Sequence, residues 1–113
     1  MFLAAIGGLE LKNWIMAPEF FWRAGRVLRQ ARTAPGCHHA SVFQRDGVLL
    51  SLSVWENAQA MRRYATSGPN RAVVAAAPRL AVTHHFHHFP CEDVPTRENA
   101  YARWQLERFA TYA

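Results

Sequence analysis

The chain alternates between two rhythms of apolar and polar residues. Residues 2–11 are apolar almost throughout, which predicts a strand, and Gly7 and Gly8 within it predict a bulge or a close backbone approach. From Pro18 to Ala34 the period changes. Phe20, Ala24, Val27, Leu28 and Ala31 recur at helical spacing, about 100° per residue, and form one stripe that should face a sheet. Pro18 suits the first turn of this helix, and Pro35-Gly36 ends it. Arg23, Arg26, Arg29 and Arg32 share the rest of its surface, with Trp22 on the outer side placed to stack on an arginine.

Two strands are predicted next, over residues 37–45 and 48–55, joined by Asp46-Gly47, a strong hairpin signal. Alternation in the second puts Leu50, Leu52 and Val54 on one face and Ser51, Ser53 and Trp55 on the other. The first set is built for a core. The second mixes hydroxyls with an indole, as in a cavity or a partner-facing sheet. Asn57 reads as the N-cap of a helix through Ala65. Ser67-Gly68-Pro69 breaks it, Pro69 opens a further turn or two through Ala77, and Pro78 closes that segment. A fourth strand is expected over 79–89, a linker over 90–95, and a last helix capped by Thr96 and running to about Tyr112.

The order β-α-β-β-α-β plus a terminal helix is the split βαβ plan, an α+β, ferredoxin-like domain with a four-stranded antiparallel sheet. The whole chain, residues 1–113, is expected to be one domain, with a core over about 2–90 and a helical extension over about 95–112. Half of its residues are hydrophobic, enough for one thin core. A thin core and a mixed sheet face predict pairing with a second copy.

Composition narrows the partners. No apolar run approaches the roughly 20 residues that span a bilayer, so no membrane partner is expected. The apolar start lacks a positively charged leader and soon meets Glu10 and Lys12, which fits a strand better than an export signal. A cytoplasmic location follows as an expectation, with Cys37 and Cys91 as reduced packing residues. The formal charge of +5 comes almost wholly from scattered arginines. The first and third strands lack the arginine- or lysine-led aromatic pattern of RNA-binding domains with the same plan, so nucleic acid is not expected.

The segment Ser51-Leu52-Ser53-Val54-Trp55-Glu56-Asn57, followed by Ala60-Met61, Tyr64-Ala65 and Ser67-Gly68-Pro69-Asn70, resembles the antibiotic biosynthesis monooxygenase group of dimeric α/β barrels, in particular its spheroidene monooxygenase-like branch. Ala34-Pro35-Gly36 also fits, and the likeness covers roughly residues 2–90. It implies a homodimer whose sheets close into a barrel, with a pocket between each sheet and its helices. Members include cofactor-free oxygenases of electron-rich aromatic molecules, haem-binding proteins and proteins with no known reaction. Where haem-binding relatives would place an axial histidine, near the break after the second helix, this chain has Asn70, whose amide is no useful iron ligand. No cofactor is therefore expected.

Ser51, Ser53, Trp55 and Tyr64 are the candidate substrate-binding residues, and Asn70 a candidate catalytic donor. The hydroxyls and amide would steady a phenolate or carbonyl oxygen beside an apolar indole wall. Were Trp55 such a wall, Trp55→Ala would weaken ligand binding more than folding; the other reading makes Trp55 a core aromatic. All six histidines fall in pairs. Alternation on the fourth strand puts His84 and His88 on one face, with Phe86 between them, and His85 and His87 on the other. His85 or His87 is the candidate general base, histidine being the side chain best suited to proton transfer near neutral pH. A His-x-His pair offers only two ligands, so no metal site is assigned. The favoured function is a monooxygenase-like enzyme acting on a small, largely apolar or aromatic molecule without haem. The alternative is a non-catalytic dimer that binds a ligand or partner on the same scaffold.

Overall fold

In the computed structural model the backbone of residues 1–112 is described, together with all their side chains except those of residues 83–85 and 107–112. Four strands, β1 (Phe2–Leu11), β2 (Cys37–Arg45), β3 (Val48–Trp55) and β4 (Ala81–Cys91), form one antiparallel sheet in the order β2-β3-β1-β4. Helix α1 (Ala17–Thr33) follows a 3₁₀ turn, Trp14–Met16. Helices α2 (Ala58–Ala65) and α3 (Gly68–Leu80) connect β3 to β4, and α4 (Arg97–Tyr112) closes the chain. This is the ferredoxin-like α+β plan that the patterning predicts.

Local chemistry sets the boundaries. Asp46 and Gly47 both have positive φ, 53° and 79°, as a type I′ hairpin turn requires. Asn57 caps α2 by accepting the Ala60 N–H at 2.9 Å, and Thr96 caps α4 by accepting the Asn99 N–H at 3.1 Å. Two expected boundaries shift. Pro78 does not stop its helix, which runs on to Leu80. A proline in the last turn removes only one hydrogen bond, and the turn beyond it is held by Leu80, buried with Phe20 and Ala81. The fourth strand accordingly starts at Ala81, not 79, and passes through Pro90 to Cys91. A proline is tolerated there because β4 is an edge strand.

The two faces of the sheet are covered by different helices. Leu50, Leu52 and Val54 join Ala4, Ile6 and Phe89 in a cluster closed by Ala100 and Trp104 of α4. The opposite face carries α1, α2 and α3, through one cluster around Trp55, Ala31, Ala40 and Ala60 and another around Phe20 and Leu80. Gly7 and Gly8 are where the sheet is thinnest. A Cβ on Gly8 would stand 2.8 Å from the Trp104 ring, and one on Gly7 would stand 1.9 Å from the Phe86 ring on the other face. The expected bulge is at the same place: Gly7 faces Phe86 and Leu9 faces Thr83, so two steps on β1 match three on β4.

Candidate functional site

A cavity of about 510 Å³ lies between the sheet and helices α1, α2 and α3, within the size range of small-molecule sites. Strand register builds its floor in rows. Ala40, Ser53, Ala5 and His88 stand abreast across the four strands, and Val42, Ser51, Gly7 and Phe86 form the next row. Alanine, serine and glycine at the centre of these rows leave the space that larger side chains would fill. The roof is apolar, with Val27 and Leu28 of α1, Met61 of α2, and Val73 and Ala77 of α3.

Four of the sequence-predicted residues meet here: Ser51, Ser53, Tyr64 and Asn70 all line the cavity. Trp55 is placed differently. Its side chain is fully buried in the cluster with Ala31, Ala40 and Ala60, and it stands behind the cavity wall. From there its Nε1–H donates to Ser53 Oγ at 2.8 Å, and its ring lies 4.8 Å from the Tyr64 ring. The indole thus positions two lining residues. It is a core aromatic, not the exposed wall that alternation alone suggests.

Tyr64 is the most perturbed group at the site. Burial, reinforced by Cys37 nearby, pushes its phenol up to about 12, so the hydroxyl stays protonated near neutrality and serves as a donor. Asn70 donates its Nδ2–H to the Ala65 carbonyl at 2.8 Å, which fixes the amide at the junction of α2 and α3. Gln30, which no pattern in the sequence marks, braces that junction from α1. Its Nε2 donates to the Ser67 and Tyr64 carbonyls at 2.9 and 3.2 Å, and its Oε1 accepts the Asn70 N–H at 2.7 Å.

The histidines divide across the sheet. His88 lines the cavity. His87 pairs with Ile6, whose side chain is buried on the α4 face, and its ring stacks on Phe89, 5.5 Å between centroids. The expectation that His87 shares the space of Ser51 and Ser53 is therefore corrected. Ser53 and His88 both face Ala5, and that shared partner puts the even-numbered residue on the cavity side. The side chain of His85 lies outside the described residues. The missed residues are His88 and Phe86, and the signal that finds them is cross-strand register. Away from the cavity, burial pushes the Cys37 and Cys91 thiols up, which suits packing better than nucleophilic chemistry.

The family of antibiotic biosynthesis monooxygenases matches the chain over residues 17–76. No curated protein matches it. Among solved structures, the chain is similar to a variant of SnoaB, a cofactor-independent oxygenase from Streptomyces nogalater, at 16% identity and a TM-score of 0.67, over 81% of this chain and 94% of that one. Rv0793 from Mycobacterium tuberculosis superposes with a TM-score of 0.73 at 12% identity, over 85% and 100% of the two chains. A conserved protein from Methanosarcina mazei gives 0.71 at 11% identity, over 81% and 94%. At these identities the likeness is one of fold.

Proposed function

The chain belongs to the antibiotic biosynthesis monooxygenase family, and from that premise we propose that it is a cofactor-independent oxygenase acting on a small, largely apolar or aromatic molecule held in the cavity between the sheet and α1–α3. The observation that carries this reading is the pairing of a largely apolar cavity with Tyr64, a half-buried phenol held in its protonated form up to about pH 12. Such a donor, with the hydroxyls of Ser51 and Ser53 and the amide of Asn70, steadies an anion that develops on a substrate oxygen. His88, on the same floor, takes the proton that makes the substrate electron-rich. The deprotonated substrate then reduces dioxygen. An activated methylene becomes a carbonyl, one oxygen atom stays on carbon and the other leaves as water. All four electrons come from the substrate, so no external reductant enters.

Haem has no place in this scheme. The amide of Asn70, at the break after α2, is engaged by the Ala65 carbonyl and is not an iron ligand. Two copies pairing into a homodimer complete the proposed particle.

The test is oxygen consumption by purified protein with a fused-ring phenol bearing an activated methylene, and no cofactor added. Turnover above the uncatalysed rate is expected, falling about a hundredfold in Tyr64→Phe, the loss typical of an oxyanion donor. Tight binding of the same phenol without turnover would instead support the non-catalytic ligand-binding alternative.

A further inference from the structure

Helix α1 has two faces with opposite surroundings. Its inner stripe lines the cavity. Its outer side carries Trp22, about 180° round from Ala31 at helical spacing, and Trp22 is 59% exposed. The 3₁₀ turn that leads into the helix adds Trp14 and Ile15, exposed by 80% and 62%, and Phe21 on the helix flank is 48% exposed. The chain has four tryptophans: Trp55 and Trp104 are wholly buried, and these two stand in solvent. Large apolar side chains gathered at one end of one helix mark an interaction surface.

The surrounding charge identifies the partner. Arg26 lies over the Trp22 ring, 5.0 Å from its centroid, and Arg29 shares that side of the helix. Lys12 precedes the turn and donates to the Pro78 carbonyl. Among the described residues none of these three cations has a carboxylate partner. Glu19, the acid of the first turn, is already held by Arg79 and Arg23. Exposed indoles beside uncompensated cations suit an interface that is apolar on one side and anionic on the other. Indoles settle at the headgroup level of a bilayer, and basic side chains are drawn to anionic lipid.

We propose that the 3₁₀ turn and the outer face of α1 dock this protein on an anionic lipid surface, with Trp14, Ile15 and Trp22 among the headgroups and Lys12, Arg26 and Arg29 against the phosphates. No helix among the described residues is long and apolar enough to cross a membrane, but lying on one needs no such span. The expectation of no membrane partner rested on the lack of a spanning run and does not bear on binding at a lipid surface. The inference does not depend on the oxygenase reading. It does place a cavity for apolar molecules directly beneath the docking helix.

The experiment uses full-length protein and vesicles of phosphatidylcholine with phosphatidylglycerol at about 7:3, a strongly anionic surface. Co-sedimentation at low salt is expected, with a blue shift of tryptophan emission from the two exposed indoles. Both should fade at about 1 M salt, where charges are screened within about 3 Å. The double variant Trp14→Ser, Trp22→Ser should bind at least about tenfold more weakly, since peripheral anchoring needs both the apolar and the charged signal. Arg26→Glu, a change at an exposed position, should weaken binding to anionic vesicles while leaving the circular dichroism unchanged. Three results would overturn the proposal: no co-sedimentation at low salt, undiminished binding by the double variant, or a blue shift that grows with protein concentration without vesicles, which would make a second copy the occupant.

Discussion

Trp55 and Tyr64 are in ring contact yet have different roles. Trp55 has no solvent exposure and anchors a cluster of small residues; truncating such a side chain costs about 3 to 5 kcal/mol. Trp55→Ala should therefore lose that much in a urea melt, and any ligand affinity should fall with the fold. Tyr64 is only partly buried, and its hydroxyl has no hydrogen-bond partner among the described residues. Its pKa is raised from 10 to about 12 in the folded chain, so the neutral phenol favours folding. That contribution is complete below pH 10 and is lost as pH rises through about 12. In melts from pH 9 upward the wild type should lose stability relative to Tyr64→Phe over that window. A constant difference would mean that the phenol titrates as it does in the unfolded chain. These residues also mark what sequence can show. Ser51 and Ser53 were legible from alternation within one strand. Trp55 has the same parity, but its burial depends on Ala31, Ala40 and Ala60, three small residues from other elements, which no local pattern reveals. The choice between His87 and His88 depends on which β4 residue faces Ala5, a matter of pairing across strands.

At the scale of elements, boundaries marked by strong local chemistry were legible, among them the Asp46-Gly47 turn and the caps at Asn57 and Thr96. Pro78 misled because a proline near a helix end is decided by what packs beyond it. The α1–α3 contact was invisible in sequence, since its polar brace joins residues 60 apart. Arg79, in the last turn of α3, grips the Glu19 carboxylate of α1 through both guanidinium nitrogens, and Arg23 adds a third contact. These bonds, chiefly the one from Arg79, hold Glu19 down to about 2 from an ordinary 4.5. A depressed carboxylate stabilises the fold above its unfolded pKa, and that stabilisation is lost as pH falls through the folded value. Glu19→Gln should thus melt below wild type at pH 7, with the two converging between about pH 4.5 and 2. The group is exposed and screened by solvent, so the gap should be small and should narrow further with added salt.

For the whole molecule the question is how a single chain covers two sheet faces. The mixed face of β3 suggested pairing with a second copy because it looked unfit for a core; it is instead the floor of the cavity. The apolar face, which a second sheet would suit, is covered by α4, whose Trp104 presses against Gly8. A partner sheet on that face would require α4 to leave it, so the proposed dimer with α4 in place must use sheet edges or helix surfaces. Pairing and folding are then separable events. Light scattering at micromolar concentration should give about twice the single-chain mass of 12.8 kDa, with an interface of at least about 1,000 Å². Dilution should release folded single chains with near-ultraviolet circular dichroism and melting temperature unchanged, because each already carries a closed core. A melting temperature that climbs steadily with protein concentration is the signature of folding coupled to association. Its appearance would mean that α4 does not close this face in the lone chain and that the partner's surface does.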